Sequence, residues 1–158
     1  MKIRFDLEED DVSVLKNKTV HADYYLDSYL EVFVIEKNKE VLLFFTTMHS
    51  TIVIDFNQLL IELHQTGKEQ TLETFGNANI YTFKKEGGNI LITNFDEFSN
   101  TEEWLYSFDF MEFTKAYTKE LRRYLHAMVM EEANIMKRPN FVLLRQGLLE
   151  LEDIVQEN

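Results

Sequence analysis

The segment Lys84-Lys85-Glu86-Gly87-Gly88-Asn89 most narrows what this chain can fold into. Apolar, β-branched runs flank it, Ile80–Phe83 on one side and Ile90–Thr93 on the other. Paired glycines between such runs supply the positive φ angles of a tight hairpin, and strands joined that closely run antiparallel. Tyr24–Ile35 and Val41–Thr47, rich in aromatic and β-branched residues around the polar Glu36-Lys37-Asn38-Lys39-Glu40, predict a second hairpin. Lys2–Leu7, Ile52–Ile54, Thr71–Phe75 and Trp104–Phe108 are further strand candidates. Together these runs predict one twisted, mainly antiparallel sheet of about six to eight strands.

Three helices are expected, the longer two C-terminal. Asp55 can cap the first, with Gln58 three residues on as in a capping box, Gly67 past its end, and Phe56, Leu59, Leu60 and Leu63 on one face. Asp109 and Glu112 repeat the start signal ahead of a stripe at steps of three and four: Phe113, Tyr117, Leu121, Tyr124, Leu125 and Met128. The third helix follows Pro139 and carries Phe141, Leu144, Leu148, Leu151 and Val155 on one side. Gly147 inside it costs about 1 kcal/mol relative to Ala. Hairpin, strand, Ile54-Asp55-Phe56 and helix in the first half match hairpin, strand, Phe108-Asp109-Phe110 and helix in the second. Ordinary strand-to-helix capping accounts for that likeness without a duplication. One Pro, five Gly and no Ser/Gly-rich stretch leave no linker, so residues 1–158 read as a single α+β domain.

With 16 basic and 28 acidic residues the net charge is −12, which repels phosphate backbones and anionic lipid at long range. Neither nucleic acid nor membrane is an expected partner. The chain has no Cys, no secretory leader at Met1–Asp6 and no apolar run of the ~20 residues that a spanning helix needs, which points to the cytoplasm.

No cofactor or metal is expected. Gly87-Gly88 lacks the Lys-Ser/Thr and helix of a phosphate loop, and His21, His49, His64 and His126 lack the spacing that puts two ligands on one helix face. Glu8-Glu9-Asp10-Asp11 lacks the alternating ligands of a Ca²⁺ loop, and Asn17-Lys18-Thr19 is a glycosylation match without a secretory context. His64 and His126 fit surface or boundary positions, and His21 beside Asp23 is a candidate pH-sensitive pair. His49, in Met48-His49-Ser50-Thr51, has Ser50 and Asp55 nearby in sequence. That is the material of a hydrolase, or of a ligand pocket with tyrosines, and equally of a loop followed by a capped helix.

Two stretches interleave acids with rings. Between Lys18 and Lys37 no basic residue occurs, while Asp23, Asp27, Glu31 and Glu36 alternate with Tyr24, Tyr25, Tyr29 and Phe33. Between Lys85 and Lys115 the pattern is denser, with Asp96, Glu97, Glu102 and Glu103 set among Phe95, Phe98, Trp104 and Tyr106. Rings act as rigid anchors and carboxylates pair with Lys or Arg, so Asp23, Tyr25, Asp27, Tyr29, Asp96, Glu97, Phe98, Glu102, Glu103 and Trp104 form the expected partner-binding set. Strand alternation offers the competing account, rings inward and acids outward. The expected function is binding of a basic protein without catalysis. Its concrete form is an immunity or antitoxin-like inhibitor that occludes a basic bacterial toxin such as a nuclease. The alternative is a small hydrolase or ligand-binding regulator around His49. The stripe Phe141–Val155 is a further candidate surface, for a homodimer.

Overall fold

The computed structural model describes residues 1–7, 12–16 and 22–157. Glu8–Asp11, Asn17-Lys18-Thr19 and His21 therefore lie outside the described residues. Among the described residues seven strands form two antiparallel meanders. β1 (Lys2–Asp6), β2 (Leu30–Glu36) and β3 (Lys39–Thr46) make the first; β4 (Gln70–Glu73), β5 (Asn79–Glu86), β6 (Asn89–Asp96) and β7 (Thr101–Asp109) make the second. Four α-helices among the described residues accompany them: α1 (Ala22–Leu26), α2 (His49–Thr66), α3 (Phe110–Glu131) and α4 (Pro139–Gln156).

The expected single sheet is thus divided. Among the described residues its halves share one antiparallel bridge, where the Thr47 amide donates to the Phe75 carbonyl at 3.1 Å and the Phe75 amide donates to Thr46 Oγ1 at 3.1 Å. Left-handed backbone at Met48 (φ 52°) and at Gly76 (φ 88°) turns the chain away on either side of the bridge and ends the ladder. Gly76 also lies against Thr47, whose Cγ2 would be 3.5 Å from an added Cβ.

One expected strand is helical throughout and another at its start. Tyr24–Ile35 divides into α1 and β2, because Tyr25 and Leu26 are both buried and successive residues of a strand point to opposite faces. Ile52–Ile54 lies in the second turn of α2, which starts at His49, so Asp55 sits exposed inside the helix and caps nothing. The matched Ile54-Asp55-Phe56 and Phe108-Asp109-Phe110 therefore occupy unlike positions: only Asp109 is a cap, accepting from the Glu112 amide at 2.8 Å. The apolar run at 52–54 resembles a strand because α2 is buried on two sides, leaving little polar face to reveal its period. Gly67 (φ 65°) closes α2 and Gly87 (φ 59°) turns the β5–β6 hairpin, as their spacing predicts.

Phe56 of α2 joins the elements. Its ring lies 5.3 Å from Phe44 in β3, 5.3 Å from Phe83 in β5, 6.4 Å from Phe113 and 5.0 Å from Tyr117 in α3. Both sheets therefore turn their buried residues, among them Ile3, Phe5, Val32, Tyr81 and Ile92, toward the helices. Lys39 at the start of β3 reaches across to lie 5.9 Å from the Tyr106 ring of β7, so the sheets curve toward one another.

α4 packs on α2 and α3 through Phe141, Leu144, Leu148, Leu151 and Ile154, the last in the place expected for Val155. The apolar stripe considered for a homodimer is buried within the chain itself. Gly147 has a positive reason to be Gly: a Cβ there would stand 2.7 Å from Asn57 Nδ2 and 2.8 Å from Asn57 Cβ on α2. Gly147→Ala is expected to destabilise by about 1–3 kcal/mol in urea unfolding, the overpacking cost, rather than stabilise as in an exposed helix. Leu151→Asp, at 0% exposure, should cost more than about 3 kcal/mol and unfold the monomer at any protein concentration, measured by circular dichroism across dilutions.

Candidate functional site

Antiparallel registers collect both acid-and-ring stretches at one end of the sheets. Asp6 pairs with Glu31 and Leu30 with Thr46; Thr47 bridges to Phe75; Glu73 pairs with Ile80, Asn79 with Asp96, and Asp96 with Thr101. Main-chain hydrogen bonds run along this rim. The Met48 amide donates to the Asp27 carbonyl at 2.8 Å, and the Glu97 amide donates to the Ala78 carbonyl at 3.1 Å. Asn77 Nδ2 links the middle by donating to the Phe45 carbonyl at 2.9 Å.

The segments forming the rim, residues 22–31, 45–51, 73–79 and 94–104, contain Asp23, Asp27, Glu31, Glu73, Asp96, Glu97, Glu102 and Glu103 but no Lys or Arg. Arg138, just before α4, comes in to meet Asp23 at 3.3 Å. The opposite turns carry Lys37, Lys39, Lys84 and Lys85 together with Glu36, Glu40 and Glu86, so that end is near neutral and the acidic excess of the strands lies at the rim. Opposing carboxylates at this density favour a cationic counterpart over bare solvent at low salt.

The expected residues divide clearly by position. Asp23, Asp27, Glu97, Glu102 and Glu103 are exposed, and Phe98 is the most exposed large apolar residue at 92%. Its outward pose is built: Asp96 accepts from the Phe98 amide at 2.8 Å and from Ser99 Oγ at 3.1 Å, an Asx turn at the head of the β6–β7 loop. Trp104 is half-buried, 4.6 Å from the Tyr106 ring and 6.0 Å from Tyr81, so it forms the wall of the rim rather than its tip. Tyr29, also half-buried, donates to Glu31 Oε1 at 2.8 Å and lies 6.0 Å from Phe45.

Tyr25 is a correction. Read as a strand residue facing outward, it is fully buried in α1, its ring 5.7 Å from His49. Its neighbour Tyr24, 64% exposed, takes the outward position because a helix rotates by 100° per residue. Met48 (41% exposed) and Phe75 (47%) also belong to the rim and were not in the expected set. The sequence signals that mark them are the residues next to them, the His49 helix start and Gly76, where the backbone turns out of the sheet.

His49 lies inward of the same rim and is completely buried. Nδ1 donates to the Ser28 carbonyl at 3.0 Å, and Nε2 meets the Tyr124 hydroxyl. That pairing assigns the tautomer: Nδ1 carries the proton and Nε2 accepts from Tyr124. Burial pushes the His49 pKa down to about 4, against the opposing pull of Ser28, and raises that of Tyr124 well above its ordinary value. Ser50 accepts from Asn140 Nδ2 at 2.7 Å, while Asp55 points to the exposed side of α2. His49 thus has a carbonyl and a phenol as partners rather than Ser50 and Asp55, and it ties α2 to the β2 entry and to α3. Among the described residues no group of three or more His, Asp or Glu is placed to hold a metal ion, and no helix is long and apolar enough to cross a membrane.

No protein-family model, curated protein or solved structure matches the chain.

The His49 pKa sets an acid limit. The folded value, about 4, lies below the ordinary 6.5, so the unfolded chain binds the extra proton, and this contribution to stability is complete above pH 6.5 and lost as pH falls toward 4. Between pH 7 and 5 the loss should be about 2 kcal/mol in urea unfolding, and His49→Gln, which cannot titrate, should flatten that dependence. An unchanged slope in the variant would contradict the assignment.

Proposed function

We propose that the chain is an acidic binding module that takes a basic protein partner at the rim formed by the β2, β5 and β7 entries. The observation that carries this reading is the coincidence at one end of both sheets of eight carboxylates, no Lys or Arg in the same segments, and a 92% exposed Phe98 held outward by Asp96. Removing Phe98 from water would reward association, since exposed aromatic groups in a polar surround are the usual anchors of interfaces. The carboxylates would pair with Lys and Arg and accelerate encounter. A partner with a cationic cleft would be blocked without any chemistry on this side. The concrete form is an immunity or antitoxin-like inhibitor of a bacterial nuclease, in which the rim carboxylates occupy the positions of substrate phosphates.

The test uses the full chain as bait in lysate of its source, at low salt and at about 0.5 M salt where the Debye length falls to a few Å. A basic protein should be retained at low salt and released at high salt. Phe98→Ala should weaken its binding by about 2 kcal/mol, and Glu97→Lys with Glu102→Lys should slow association about tenfold, both with unchanged thermal unfolding. If the retained protein is a nuclease, added bait should suppress its activity. Retention that ignores both substitutions and salt would refute the rim as the binding surface.

A further inference from the structure

β7 ends the order of the second sheet, with β6 on one side of it. The Phe110 amide donates to the Gly88 carbonyl at 2.9 Å, which fixes the phase of the β6–β7 ladder: Trp104, Tyr106 and Phe108 turn their N–H and C=O toward β6. Alternate residues of a strand face opposite ways, so Leu105 and Ser107 turn theirs outward. Both residues are exposed, Leu105 at 51%. Among the described residues nothing bonds to these outward groups. The other sheet edges are tied: β1 to α3 through Phe5 and Glu120, and β3 to β4 at the Thr47–Phe75 bridge.

The open stretch has two limits and two unlike faces. Toward the rim it ends at Glu103, the extra residue of a bulge opposite Asn94 and Phe95, and at the other end it runs into α3 after Asp109. On the inner face Trp104 and Tyr106, with rings 4.6 Å apart, are half-buried, so the row of rings that includes Phe108 stops at the edge with one flank in water. Lys39 stands over the Tyr106 ring on that face at 5.9 Å. Leu105 and Ser107 occupy the outer face. The strand holds Glu102, Glu103 and Asp109, all exposed, and no Lys or Arg. Glu103 accepts from Asn94 Nδ2 and Asp109 from the Glu112 amide, both neutral donors, so nothing on the strand compensates its negative charge.

We infer that β7 receives an extended segment of a basic partner, which adds to the second sheet as a further strand. An open edge with free donors and acceptors takes any backbone, and the choice of segment is made by side chains. Apolar residues of the segment lie beside Trp104 and Tyr106. The alternate Lys or Arg residues lay their stems along Leu105 and Ser107 and bring their charges to Glu102, Glu103 and Asp109. A second copy is a poor occupant, because two β7 edges paired antiparallel about Tyr106 set each Glu103 against an Asp109. The inference rests on the acidic-rim reading, since Glu102 and Glu103 belong to both surfaces, and adds how the partner attaches.

The experiment titrates a fluorescein-labelled peptide of alternating Val and Lys into the full chain at about 0.15 M salt, following anisotropy and the Leu105 and Ser107 amide resonances. Saturable binding is expected, with a downfield shift and slowed hydrogen exchange at those two amides. Ser107→Pro deletes an outward donor without removing a bond to β6 and should weaken binding about tenfold, whereas Ser107→Ala, which keeps the N–H, should not. Should the Pro variant fail to fold, the same peptide N-methylated at alternate residues on its bonding edge decides the matter: its charge is unchanged and it should not bind. The inference is overturned if the Val-Lys peptide does not bind, if the N-methylated peptide binds equally well, if the two amides do not respond, or if a Glu-for-Lys counterpart binds as tightly. A concentration-dependent dimer abolished by Ser107→Pro would assign the edge to a second copy instead. Capture of a basic protein from lysate that is lost in Phe98→Ala but kept in Ser107→Pro would uphold the rim while overturning strand addition.

Discussion

The structure depends on α2 being enclosed, and Phe56 is where that enclosure closes. Its ring meets one aromatic residue from each sheet, Phe44 and Phe83, and two from α3, Phe113 and Tyr117. Two sheets joined by a single bridged residue pair would otherwise be free to splay about Thr47 and Phe75. Edge-to-face packing of rings on both sides of α2 adds about 0.5–1.5 kcal/mol per pair beyond the area buried and fixes their angle. The other side of the same helix takes α4, at a separation that leaves no room for a Cβ at Gly147.

Polar groups inside this core are placed where elements must be held in register. His49 links the Ser28 carbonyl to Tyr124, Asn57 Oδ1 accepts from Tyr117 at 2.7 Å, and Glu120 joins β1 to α3 through the Phe5 amide. Each would be costly without its partner, so each disfavours packings that slide α3 against β1 or α2. The same device shapes the surface. Because Glu120 accepts from the Phe5 amide, the outer edge of β1 is tied to α3 at that residue.

The distribution of charge follows from the topology. A meander returns alternate turns to the same end, and here the turns at one end carry Asp and Glu without Lys or Arg while the opposite hairpins balance Lys37, Lys39, Lys84 and Lys85 against Glu36, Glu40 and Glu86. Asp96 adds local order by holding the loop that displays Phe98.

The sequence by itself determined the elements whose signals are local: the Gly87 hairpin, the Asp109 cap, the Gly67 stop and the periodic faces of α3 and α4. It also determined the α+β class with antiparallel pairing, and that acids and rings share two stretches. It misread the start of α2 and the strand expected at Tyr24, because burial on two sides erases the polar half of a period and because Tyr25 and Leu26 were weighed by composition rather than by where each points. Only the tertiary structure decided that the sheet divides at Thr47, that Tyr25 is core while Tyr24 is surface, and that the stretches 22–31 and 94–104 come to one acidic rim. Local signals depend on neighbours a few bonds away, whereas exposure and the company a charge keeps depend on which elements pack together, and here the rings around Phe56 settle that.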